Sequence, residues 1–161
     1  MPTTGRQMII DFDDSTATCP FTADQVTHWA KTTLSSETEK KCILAIRVVD
    51  STEGLKLNEI FLGKTYPTNV LSFRADIQIP EGPTMLGDIA ICLPVVKQEA
   101  HEQSKSFEQH FAHMVVHGCL HLLGYDHVNN NDANEMEAKE IGILSDLGYP
   151  NPYPSEEQKD T

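Results

Sequence analysis

Residues 117–127 make the most specific chemical statement in the chain: His117-Gly118-Cys119-Leu120-His121-Leu122-Leu123-Gly124-Tyr125-Asp126-His127. Two histidines four positions apart lie on one face of a helix, one turn apart. Gly124 follows the second histidine by three positions, and His127 follows that glycine by three. The spacing predicts a tripod of imidazoles, with His117 and His121 fixed on a helix and His127 swung back across its end. Three neutral imidazoles with an open fourth position suit a catalytic zinc ion, one per chain. Cys119 also lies in the motif, but on a helix it points about 200° away from His117, so it reads as core rather than ligand.

The pattern H-x-x-x-H-x-x-G-x-x-H has the spacing of the metzincin proteases, which carry a glutamate general base directly after the first histidine. Here that position is Gly118. A glycine can neither accept a proton from water nor pass one to a leaving amine. A zinc peptidase therefore loses its key group while the metal site survives. A zinc ion on three neutral ligands keeps its full double charge and brings the pKa of a bound water to about 7. It also stabilises negative charge developing on a phosphoryl oxygen. Phosphodiester hydrolysis needs those two functions. In RNA the adjacent 2′-hydroxyl is a further nucleophile, and the residues leave hydroxide and 2′-hydroxyl attack open. Asp126, beside the last ligand, reads either as a group orienting an imidazole or as an exposed turn acid. Tyr125 reads as packing. Of the chain's seven histidines, five fall between residues 110 and 127. His28 and His101 read as ordinary polar groups. So do His110 and His113, although they precede His117 by about two turns and one turn and are able to line the same cleft.

The elements that position this motif follow from periodicity and caps. Residues 8–12 read as a short strand. Thr22 with Gln25 forms a capping box, with Phe21 and Val26 as a hydrophobic staple, for a helix to about Leu34. Residues 35–40 read as a turn, and 42–49 as a nearly continuous apolar strand of the kind buried on both faces. Strand, helix, strand in this order implies a right-handed parallel crossover. Asp50 caps a helix to about residue 62, which Gly63 ends. Residues 67–73 begin as a turn and become a short strand, 74–85 form a loop with a ragged edge strand, and 86–93 form another strand. Pro94 starts a helix to His101 or Gln103. Ser106, with Gln109, opens the long apolar helix that carries His117 and His121, and Gly124 serves as its left-handed end. Asn130 or Asn131 caps a last helix with Met136, Glu140, Ile143, Leu144 and Leu147 in register, closed by Gly148 and Pro150. The fold class is α+β: a small mixed four-stranded sheet packed with about five helices, one of them a zincin-like metal-binding helix.

Composition sets the outer bounds. The 161 residues suit a single domain, read as a metal-dependent hydrolase over 1–150 with a disordered acidic tail over 151–161. The net charge of −12, from 24 acidic and 12 basic residues, argues against a protein that coats nucleic acid non-specifically. It leaves room for a local basic cleft. Cys19, Cys42, Cys92 and Cys119 form no C-x-x-C pair and read as reduced thiols in a cytoplasmic protein. No apolar run approaches the ~18 residues of a membrane span.

The motif over residues 117–127 resembles the signature of the YbeY family of bacterial rRNA maturation factors, described as metal-dependent, single-strand-specific endoribonucleases. Pro67-Thr68-Asn69-Val70-Leu71-Ser72-Phe73 is similar to that family's second motif, and Leu86-Gly87-Asp88-Ile89 to its third. Met136-Glu137 and Leu147-Gly148-Tyr149 are similar to its C-terminal helix. The resemblance implies zinc on His117, His121 and His127, with His117 and Asp126 as the catalytic pair. It implies single-stranded RNA as substrate, specifically the 16S rRNA precursor at its 3′ end. It also implies a role in late 70S ribosome quality control, with the small ribosomal subunit or assembly factors as partners. Many members carry an RNA-contacting arginine where this chain has Leu62. Either Lys64, Arg74 or another cation then supplies the phosphate contact, with Asn69 and Ser72 as further substrate-binding residues, or this chain binds RNA more weakly. A different class of function is a ribosome-assembly factor whose metal is structural and whose nuclease activity is slight. The acidic balance and Leu62 favour that alternative.

Overall fold

Side-chain caps start three of the helices where the sequence places them, at Thr22, Asp50 and Ser106. In the computed structural model, which describes residues 8–64, 68–126 and 129–153, the chain runs β1 (Met8–Asp14), α1 (Ala23–Glu37), β2 (Cys42–Val49), α2 (Ser51–Leu62), β3 (Val70–Gln78), β4 (Thr84–Cys92), α3 (Leu93–Glu102), α4 (Phe107–Leu122) and α5 (Asn130–Asp146). Thr22 and Gln25 form the full capping box of α1. Asp50 and Ser106 each accept a hydrogen bond from the backbone N–H three residues on, at Glu53 and Gln109. Each satisfies a donor that the first turn leaves without an intrahelical partner. Gly63 ends α2 in the left-handed region. Asn129, rather than Asn130 or Asn131, caps α5 by accepting from Asp132 N–H at 2.9 Å. Three neighbouring asparagines offer the same chemistry, and the sequence does not rank them. The expected turn at 35–40 is also shorter, because α1 continues through Glu37.

The sheet order is β1-β2-β4-β3, with β1∥β2 and β2∥β4 parallel and β3 antiparallel to β4. Among the described residues, the α+β class with five helices and a mixed four-stranded sheet is thus what forms. Two expectations change. β2 is buried mainly on one face: Cys42, Leu44, Ile46 and Val48 enter the core, while Arg47 is exposed and pairs with Glu53 of α2 at 2.9 Å. Residues 74–78, read as part of a loop with a ragged edge strand, continue β3. Their pairing with β4 slips between Arg74 and Ile77, where Asp76 takes φ 50°. The slip breaks the alternation that a sequence reading relies on.

β4 carries its own irregularity. Ile43 pairs with Met85 and Leu44 with Gly87, which leaves Leu86 as the extra residue. Gly87 has φ 139°, and a Cβ there would stand 2.1 Å from the Phe73 carbonyl oxygen of β3. Only glycine permits that approach. The glycine of the Leu86-Gly87-Asp88 motif thereby lets the edge strand β3 close onto the sheet.

α4 packs against α1, α3, α5 and strands β3 and β4. An aromatic cluster fastens its first half to α1: the ring of Phe21 lies 4.8 Å from Phe111 and 5.7 Å from Trp29. Residues 151–153 fold back onto the helices, with Pro152 buried and its carbonyl accepting from Lys105 Nζ at 2.7 Å. Cys42, Cys92 and Cys119 are buried free thiols and Cys19 is half-buried. Burial pushes Cys119 up to about 12, which suits core rather than ligand chemistry. Among the described residues, no helix is long and apolar enough to cross a membrane.

Candidate metal centre

α4 is buried from His110 through Val116 and again at Gly118, Cys119, Leu120 and Leu122. His117 and His121 break that pattern, and both are half-buried. Their ring centroids lie 4.7 Å apart with the planes at 81°. The structure thus brings together the first two members of the expected tripod. The third, His127, lies outside the described residues. At the helix end, Gly124 takes φ 106°, and the N–H groups of Gly124 and Tyr125 bond to the carbonyls of His121 and Leu120 at 3.0 Å each. These bonds satisfy carbonyls of the last turn while the left-handed glycine redirects the chain.

Gly118 faces the sheet. A Cβ on it would stand 3.0 Å from both Cδ1 and Cγ2 of Ile89. The position that holds the general base in the metzincins is here a contact with the core.

Behind His117 stands a carboxylate from α5. Glu140 is fully buried, with Oε2 2.5 Å from Nδ1 of His117 and 3.4 Å from Nε2 of His113. The Tyr153 hydroxyl donates to Oε1 of the same carboxylate and lies 3.3 Å from His113 Nε2. Burial alone would raise the Glu140 pKa, but the hydrogen bonds with His113 and His117 outweigh it and hold the carboxyl at about 2. The donor atoms of His113, His117 and Glu140 all lie within 4.8 Å of one another, so this cluster is able to hold a metal ion. Imidazole and carboxylate donors both suit zinc. His117 is common to this cluster and to the His117–His121 pair.

Sequence reasoning missed Glu140 and Tyr153 and treated His113 as ordinary. One signal was available: Glu140 occupies an apolar register position of α5, between Met136 and Ile143 and Leu144, all of which are buried. A carboxylate on a buried stripe requires a partner.

The expected substrate residues are spread out. Arg74 lies at the C-terminal end of α4, its Nε donating to the Leu122 carbonyl at 3.2 Å. With Asp126 it lines a cleft of about 610 Å³ that also takes in Glu37, Asp76, Asp132 and Glu135. The structure therefore joins Arg74 and Asp126 in one cleft, where acidic side chains outnumber the two cations, Arg74 and Lys40. Asn69 belongs to a different cavity of about 640 Å³, where its amide donates to Glu99, which also contacts His110 Nε2 at 2.9 Å. Ser72 sits under α4, with its hydroxyl 3.5 Å from the Gly118 carbonyl. Lys64 is exposed just beyond α2.

The sequence profile described as endoribonuclease YbeY matches residues 10–148. This chain belongs to the YbeY family. A relative from Pseudomonas syringae pathovar tomato, named endoribonuclease YbeY, is 55% identical over 122 residues, covering 73% of this chain and 71% of its own. One of the same name from Pseudomonas fluorescens is 47% identical over 136 residues, covering 83% and 88%. A Thermotoga maritima protein with a known solution structure shares the fold, with a TM-score of 0.58 at 24% identity over 86% of this chain and 89% of its own. The YbeY match spans the sheet, α4 and α5. It therefore includes the Gly87 bulge, the His117–His121 pair and Glu140. Tyr153 lies just past its end.

Proposed function

We propose that this chain is a zinc-dependent, single-strand-specific endoribonuclease. In this reading it matures the 3′ end of 16S rRNA and takes part in 70S ribosome quality control in the cytoplasm. The observation that carries the reading is the pairing of His117 and His121 rings 4.7 Å apart on α4, in a chain of the YbeY family. His117, His121 and His127 would hold one zinc ion. When bound, it supplies Lewis acidity that stabilises charge developing on the phosphodiester.

The chain's own residues set the rest. Gly118, packed on Ile89, leaves no carboxylate at the peptidase position and directs the site away from amide hydrolysis. Arg74 offers a guanidinium to the cleft shared with Asp126, where a phosphate can be held by charge and hydrogen bonding. Asp126 is exposed there, and in this reading it orients an incoming nucleophile or the third imidazole. Lys64, Asn69 and Ser72 are the remaining RNA-contacting positions of this reading. Asn69 acts from its own, separate cavity.

Purified protein should cut single-stranded RNA and leave duplex RNA intact. His117→Ala and His121→Ala should abolish the cut with the fold retained. Equal cleavage by wild type and both variants contradicts the proposal.

The excess of acidic over basic side chains in the Arg74 cleft favours a second reading, in which the chain assists assembly of the small subunit with a structural metal and little cleavage of its own. That reading expects His121→Ala to restore ribosome maturation in depleted cells. Failure of a folded, ribosome-associated His121→Ala to do so contradicts it.

A further inference from the structure

We infer that Glu140, braced by Tyr153, is the positioning residue that fixes the ring of His117 and decides which of its nitrogens is turned to the metal. The inference rests on the proposed metal site. An ionised carboxylate only accepts hydrogen bonds. With Oε2 at 2.5 Å from Nδ1 of His117, the proton belongs on Nδ1, and the lone pair is left on Nε2, the ring nitrogen that Glu140 does not bond. An imidazole held in this way by a carboxylate presents one nitrogen in one orientation.

The separation also argues against Glu140 as a ligand beside His117. Two donors bound to one tetrahedral zinc at ~2.0–2.1 Å stand about 3.3 Å apart. A contact of 2.5 Å is a direct hydrogen bond. Glu140 is fully buried, so its charge requires full pairing. The Tyr153 hydroxyl supplies the bond to Oε1, while the two histidines share Oε2. Tyr153 is itself held in place because Lys105 donates to the carbonyl of Pro152, its neighbour. The short segment after α5 thereby acts as a brace for the metal helix, through α5.

The test measures zinc affinity of the full chain by competition with a chromophoric chelator, together with the His117 tautomer in metal-free protein from imidazole ¹⁵N NMR. The variants are Glu140→Gln, Tyr153→Phe and His121→Ala, each checked for fold by circular dichroism. Glu140→Gln should still bind one zinc per chain, with affinity lowered about 10–100-fold, and its His117 should become a mixture of tautomers where wild type has Nδ1–H. Tyr153→Phe should weaken affinity several-fold, a smaller effect of the same kind. Unchanged affinity and tautomer in folded Glu140→Gln overturns the inference. Complete loss of zinc in that variant, matching the loss of a ligand, also overturns it and makes Glu140 a ligand. If Glu140→Gln does not fold, unchanged affinity in Tyr153→Phe overturns it. His121→Ala separates the two levels. If it binds zinc as wild type does, the proposed metal site fails, whatever the tautomer of His117.

Discussion

Gly118 lies against Ile89, where a Cβ would stand 3.0 Å from two carbons of that side chain. This contact explains in packing terms why the site has no glutamate after its first histidine. α4 approaches β4 so closely that a side chain at this position meets the core. Gly118→Glu should therefore create no peptidase. It should destabilise the fold by about 3 kcal/mol or more, from overpacking and a buried carboxylate. Gly118→Ala should lie near zero, because a helix-propensity gain of about 1 kcal/mol offsets a small shift of Ile89. Urea denaturation midpoints check both, and a peptide-hydrolysis assay checks the first.

Arg74 binds the last turn of the metal helix. Its Nε donates to the Leu122 carbonyl, one of the acceptors a helix end leaves without an intrahelical partner. Arg74→Met keeps the stem and removes the donor, so it should cost about 1 kcal/mol of stability. Gly124→Ala should cost about 1–2 kcal/mol, since φ 106° disfavours a Cβ that would also stand 3.3 Å from the Arg74 guanidinium. Thermal or urea unfolding of the two variants gives both values.

The sequence carries much of this. The caps at Thr22, Asp50 and Ser106, the apolar run 42–49 and the His117–His121 spacing are local signals, and each forms the element its chemistry calls for. Where the reading went astray, distant contacts decide. β3 extends to Gln78 because β4 pairs with it across a slipped register, which Pro80 and Pro83 nearby disguise as loop. Glu140 looks like a stray acid on the apolar stripe of a polar helix until α5 packs on α4 and sets it beside His117. Tyr153 acquires its place only when residues 151–153 fold back across some forty positions to His113. Asn69 and Arg74 sit five positions apart in sequence, yet they face different cavities.

Acid sensitivity should include a contribution from Asp14. Burial would raise its pKa, but bonds from the Thr16 hydroxyl and from the backbone N–H groups of Thr16 and Cys19 outweigh that and lower it. A carboxyl depressed in the folded state stabilises the fold above its unfolded pKa, near the ordinary 3.8, and loses that contribution as pH falls through the folded value. The stability difference between wild type and Asp14→Asn should therefore be constant from pH 7 to 5 and shrink below pH ~4. Urea titrations at stepped pH read it directly, and a difference that stays flat down to pH ~2 contradicts the assignment.

The most direct test of the metal site is a crystal structure of the zinc-loaded protein with anomalous data at the zinc edge. The account predicts one ion bound by imidazole nitrogens of His117, His121 and His127 at ~2.0–2.1 Å, with Glu140 still hydrogen-bonded to the far nitrogen of His117. An ion seated instead among His113, His117 and Glu140, with His121 turned away, would contradict it.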